Sequence, residues 1–231
     1  MKPQFLLIFL SLFFAIYPTF GQEVFIDSRD KKEYKTVTIS GIKWMTENLD
    51  FETELSLSSD PQHQTNTRLS GRYYHLDEIC CVCPDGWRLP GVEDWLSFFS
   101  YSLKSVDSLA PLKFIGNENH FAIDGYSENL NVFDDTNPLK LTPTGRVEGG
   151  KYNVQENYAD YWTLDPPKWN HDLPPSTSNH AHVLSTVYEG KTHIHIRNKS
   201  FTNIHSHKHH LNPKKKGKLR MFMIRCVKTV D

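Results

Sequence analysis

Alternating histidines are the residues of this chain most able to do chemistry. His193 and His195 stand two apart in Thr-His-Ile-His-Ile-Arg-Asn, and His205, His207 and His209 repeat that spacing in Asn-Ile-His-Ser-His-Lys-His-His. Alternate residues of a strand share one face. Two such strands side by side would bring several imidazoles within reach of one ion. Neutral imidazole is a common ligand of zinc and copper, so the spacing points to a transition-metal site. The plainer reading is a hydrophilic hairpin whose His and Lys side chains face water, because so dense a tract is partly compositional. Lys214, Lys215, Lys216 and Lys218 follow. They read as a solvated loop before the last strand, or as a contact for anionic glycans or lipopolysaccharide.

The other chemistry-bearing residues are four cysteines, at 80, 81, 83 and 226. They allow three full pairings, and the close spacing of the first three could instead ligate a soft metal. No Gly-x-Ser-x-Gly, His-Glu-x-x-His or phosphate-cradling glycine loop is present, which ranks a binding module above an enzyme.

Charge is divided along the 231 residues. From Gln22 to Gly190 there are 14 Lys and Arg against 26 Asp and Glu; from Lys191 to Lys228 there are 11 Lys and Arg and no acid. A net charge of −1 therefore hides an acidic body and a basic segment. Such asymmetry favours anionic partners, unless the two parts pair with each other on folding. The front of the chain reads as an address. Lys2, the apolar run Phe5–Tyr17, and small residues Thr19 and Gly21 before Gln22 have the form of a secretory signal. Residues 1–21 are expected to be removed and the protein exported, to the periplasm, the cell surface or beyond. That address argues against nucleic acid as a partner and permits disulfides. Residues 22–231 then read as a single domain.

The elements that must position these residues follow from periodicity. Val24–Asp27 and Glu33–Ile39 predict a hairpin, Ser40-Gly41 a turn, and Ile42–Leu49 a further strand. Residues 51–69 predict a long polar loop. Arg72–Tyr74 predicts a short strand and Leu76–Cys80 a helical turn or two. Pro90-Gly91 opens a helix whose Trp95, Phe98, Phe99 and Leu103 share one apolar face. Val106–Phe114 suggests a second helix. Glu148-Gly149-Gly150 sits at a hairpin turn between Leu139–Val147 and Lys151–Gln155, Tyr158–Leu164 is a strand, and Asp165–Asn179 is a proline-rich loop. His182–Tyr188 pairs with Thr192–Arg197, and Leu219–Lys228 predicts a strong final strand. Long loops, short strands in a mixed or antiparallel sheet, and one or two helices make an α+β domain.

Three blocks carry a family resemblance: Asp27–Leu49 (DSRDKKEYKTVTISGIKWMTENL), Cys83–Pro90 (CPDGWRLP) with Asp94-Trp95, and Ile224–Lys228 (IRCVK). In that order they resemble the Fibrobacter succinogenes major paralogous domain of secreted bacterial proteins. The resemblance implies a C-type-lectin-like fold and an exported protein, but no reaction. It also implies that Cys83 and Cys226, which lie in two of the blocks, form a disulfide, leaving Cys80 and Cys81 as free thiols. The WRLP block and its acidic-Trp pair are similar to those of formylglycine-generating enzymes, with Asp94 where Glu is usual. That activity needs paired late cysteines, and Cys226 stands alone. Trp169-Asn170-His171-Asp172 is faintly similar to the Trp-Asn-Asp element of calcium-dependent lectins, but His171 interrupts it. Trp169 could still stack on a sugar ring. The expected function is a non-catalytic binding module for carbohydrate or an anionic surface polymer. A metal-binding protein using the histidine row is the alternative, and an enzyme of the formylglycine-generating type is a disfavoured third.

Overall fold

A computed structural model describes residues 23–59, 71–104, 113–117, 120–127, 131–153, 157–163, 180–188, 192–200 and 220–230. In it the alternation of apolar and polar residues at the front of the chain makes a meander. Strand β1 (Glu23–Ile26) pairs antiparallel with β2 (Glu33–Ile39), and β2 with β3 (Ile42–Met45). The β2–β3 turn puts both central residues at positive φ, Ser40 at 51° and Gly41 at 79°. That is the tight turn whose twist matches a hairpin. The predicted strand through Leu49 stops at Met45. Beyond it the backbone turns inward, so that Leu49 N–H donates to the Ile224 carbonyl at 2.9 Å.

The helix α1 spans Val92–Lys104. Its entry is built from the preceding block. The Asp94 carboxylate accepts the Gly91 N–H at 2.6 Å and takes both arms of the Arg88 guanidinium. An acid in the first turn also suits the helix dipole. Trp95, Phe98 and Phe99 are all fully buried, as their spacing predicts. Trp95 packs on Trp44 with ring centroids 4.8 Å apart and on Tyr161 at 5.9 Å. The helix thus rests on the N-terminal meander and on the strand that carries Tyr161. Among the described residues α1 is the one α-helix; a single 3-10 turn, Leu76–Glu78, follows the strand at Arg72. The end of the expected second helix, Lys113–Phe114, lies instead in a strand, because Lys113–Ile115 pairs in register with Ala122–Asp124.

The described residues form two further antiparallel sheets. One has the order β10 (Tyr158–Thr163), β11 (His180–Tyr188), β12 (Thr192–Ser200), β7 (His120–Ser127), β6 (Lys113–Asn117). The other has the order β4 (Leu57–Ser58), β5 (Arg72–His75), β13 (Arg220–Phe222), β8 (Arg146–Glu148), β9 (Lys151–Asn153). Strand β10 joins the two: Trp162 N–H donates to the Met223 carbonyl at 3.0 Å, and Gly145 N–H to the Tyr158 carbonyl at 3.0 Å. Its faces feed different clusters, Tyr161 packing with Trp95 and Trp162 with Phe222.

The predicted final strand is two strands. β13 belongs to the third sheet, while β14 (Val227–Thr229) pairs with β3 in the first. Between them Met223–Cys226 is buried and irregular. Its carbonyls accept from Trp162 of β10 and from Met45 and Leu49, at the end of β3 and just beyond it. The architecture is α+β, with the strand nearest the C-terminus joined to the N-terminal meander.

Candidate functional site

The chemistry of the three blocks proves to be architectural when built from its residues. Arg88 and Val227 exchange both backbone hydrogen bonds at 2.8 Å, laying Trp87-Arg88-Leu89 beside β14. One residue before β14, Cys226 is bonded to Cys83, with Cα atoms 5.9 Å apart across 143 positions. Cys80 and Cys81 are free and exposed. Partial desolvation of the Cys80 sulfur, together with the adjacent Cys81 thiol, pushes its pKa up to about 12. At neutral pH it is therefore a thiol, poorly nucleophilic.

Sequence reasoning missed Arg225. Its guanidinium is buried and bonded to neutral oxygens: Asn48 Oδ1 at 2.7 Å and the carbonyls of Leu139 at 2.9 Å and Lys140 at 3.2 Å. Burial pulls its pKa down. It ties the end of the chain to the 139–141 segment and to the segment after β3. Gly71 stands against the same Asn48, at φ +123°, where a Cβ would come within 2.6 Å of Asn48 Cβ. The signal the sequence carries for Arg225 is its position beside Cys226 in the final block.

A dense polar array of described residues lies where β8, β10 and β13 meet. Arg146 Nη1 donates to Tyr158 Oη at 2.5 Å and to Asp160 Oδ2 at 3.3 Å, and Tyr158 Oη donates to Asp160. Arg146 Nε lies 3.3 Å from Glu148 Oε2, and Arg220 Nε donates to Glu148 Oε1 at 2.8 Å. Asp160 is buried beneath this array, while Arg146, Tyr158, Glu148 and Arg220 are partly exposed. Burial, with the Asp160 charge, raises the Tyr158 pKa, so the phenol stays a hydrogen-bond donor. The Arg220 hydrogen bond leads the causes that hold Glu148 below its ordinary value. The result is two guanidiniums, a phenol and a carboxylate in fixed relation, with Tyr152 nearby donating to the Ser58 carbonyl at 3.0 Å. Guanidiniums are groups that can bind hydroxyl-rich or anionic partners by planar, multidentate hydrogen bonding.

Of the residues singled out in the sequence, Trp169, Lys214, Lys215, Lys216, Lys218, His205, His207 and His209 lie outside the described residues. So do the apolar leader and the Pro-rich loop. His193 and His195 lie on β12. A strand has two hydrogen-bonding edges, and over Thr192–Arg197 both are taken, by β11 and by β7. Among residues with described side chains, no three of His, Cys, Asp or Glu gather to hold a metal ion. No described helix is long and apolar enough to cross a membrane.

Residues 37–228 match the family model described as Fibrobacter succinogenes major domain. The chain belongs to that family. Neither any curated protein nor any solved structure matches it. The matched span of this Fibrobacter succinogenes major domain runs from within β2 into β14, and so takes in α1, the disulfide, Arg225 and the Arg146 array.

Proposed function

We propose that this protein is a non-catalytic binding module, C-type-lectin-like in fold and exported to the cell surface or beyond, whose ligand is a carbohydrate or an anionic surface polymer. The observation that carries the reading is the array in which Arg146 and Arg220 share Glu148 beside Tyr158. In sequence, Arg220 opens β13 shortly after Lys214, Lys215, Lys216 and Lys218. Pairing of the strands near both ends of the matched domain and a helix packed against the sheets support the fold reading.

A glycan array probed with residues 22–231, with and without EDTA, tests the proposal. Binding to acidic glycans that survives EDTA, weakens with salt and falls by roughly tenfold in Arg146→Ala and Arg220→Ala, the loss of one charge-assisted hydrogen bond, is the expected result. An array silent under both conditions overturns the reading, as does binding that both variants retain in full.

A further inference from the structure

The register of the five-stranded sheet brings together residues far apart in sequence. His195 on β12 has Asp124 on β7 as its Cα partner on one side and Ser185 on β11 on the other. Asp124 in turn partners Lys113 on β6, and Ser185 partners Asp160 on β10. Directly paired residues share a face, so Lys113, Asp124, His195, Ser185 and Asp160 form a single polar row across all five strands. His193 lies two residues from His195, on that same face, opposite Tyr126. Ile194 between them is buried in the main cluster with Ala159 and Tyr161, so the histidines occupy the face of β12 opposite that cluster.

Antiparallel partners stand about 4.5–5.5 Å apart at Cα. Alternate residues along a strand are separated by roughly 6.7 Å, and diagonal cross-strand neighbours by about 7–8 Å. His193, His195 and Asp124 occupy the corners of a triangle with those three sides. Two imidazoles and a carboxylate based on such a triangle match the donor set of an open zinc site, which takes bonds of about 2.0–2.2 Å and leaves a position for water.

We propose that His193, His195 and Asp124, at adjoining register positions on one face of β12 and β7, form a divalent transition-metal site, with zinc as the ion. It keeps two of the five histidines suggested by spacing alone and replaces the other three with an acid that no local pattern marks. It does not depend on the polymer-binding reading. Lys113 is the competitor, because as Asp124's other neighbour it offers the carboxylate an ion pair instead.

Calorimetric titration of tag-free residues 22–231 with zinc chloride decides the matter, with cobalt(II) absorption as a second readout of donor set. Asp124→Asn and His195→Ala are each expected to weaken the tightest zinc equivalent at least about tenfold, since loss even of a residue that only supports a ligand costs 10–100-fold. Both should alter the cobalt spectrum. A variant with His205, His207, His209 and His210 all changed to Ala is expected to keep that equivalent. Far-UV circular dichroism and metal-free melting separate loss of the site from loss of the fold, and Asp124→Asn preserves shape. The proposal is overturned if the tightest equivalent disappears with the four-histidine variant and survives Asp124→Asn. It is equally overturned if folded Asp124→Asn binds zinc and cobalt as the parent does, the result expected if Asp124 serves only as a partner of Lys113.

Discussion

Charged side chains taken out of water carry much of the specificity of this fold, and each is held by several partners. Arg225 does so without a bonded carboxylate, through Asn48 and backbone carbonyls. Asp27 does so with one cation. Its carboxylate accepts Arg29 Nε at 2.9 Å and Nη2 at 2.7 Å, while Arg29 Nη1 reaches the Val82 carbonyl at 2.9 Å and the guanidinium lies 3.8 Å from the Phe51 ring centroid. Desolvation alone would raise the Asp27 pKa; the Arg29 hydrogen bonds and charge outweigh it and leave the pKa lowered. A depressed carboxylate stabilises the folded state above its unfolded pKa, about 3.9, and that contribution is lost as pH falls through the folded value. Thermal melting followed from pH 7 to pH 2 should show the midpoint falling most steeply below about pH 4. Asp27→Asn should lower the midpoint at neutral pH and flatten the acid limb. An unchanged acid limb would remove Asp27 from the account.

At the scale of elements, α1 acts as the wedge between the meander and β10. Trp95 touches Trp44 on one side and Tyr161 on the other, so Trp95→Ala should cost about 3–5 kcal/mol, read by urea denaturation. A loss under about 1 kcal/mol would place the helix elsewhere. This helix was legible because Trp95, Phe98 and Phe99 recur with helical period and Asp94 sits where an N-terminus favours acid. The β2–β3, β8–β9 and β11–β12 hairpins were legible for a like reason, each having turn residues between alternating segments. β6 and β7 were not, since Phe121, Ile123 and Gly125 do not make a continuous apolar stripe. Nor was the break in the last strand: Met223–Cys226 reads as extended, and only its partners Trp162, Leu49 and Met45 reveal that it leaves one sheet for another. The candidate site was the least legible part. Arg146, Glu148, Tyr158, Asp160 and Arg220 are ordinary strand residues until three strands bring them together.

Over the whole molecule, the disulfide joins the turn before α1 to the last crossing of the chain. Closing a loop of 143 positions stabilises by about 4–5 kcal/mol on the chain-entropy account. Mass mapping of unreduced protein should find Cys83 linked to Cys226, with Cys80 and Cys81 open to alkylation after denaturation. Reduction should lower the denaturant midpoint without changing which elements form; recovery of Cys83 and Cys226 as alkylated thiols from unreduced protein would refute the staple. The placement of β14 has a consequence in time. β3 needs β14 to cover its free edge, and β10 needs Met223. Both partners are made well after the strands they cover. During synthesis the meander therefore waits with an open strand edge, a template for any extended chain that arrives first. Most of these contacts span long stretches of sequence, which slows folding further. Whatever meets the chain in that interval meets a strand edge still open.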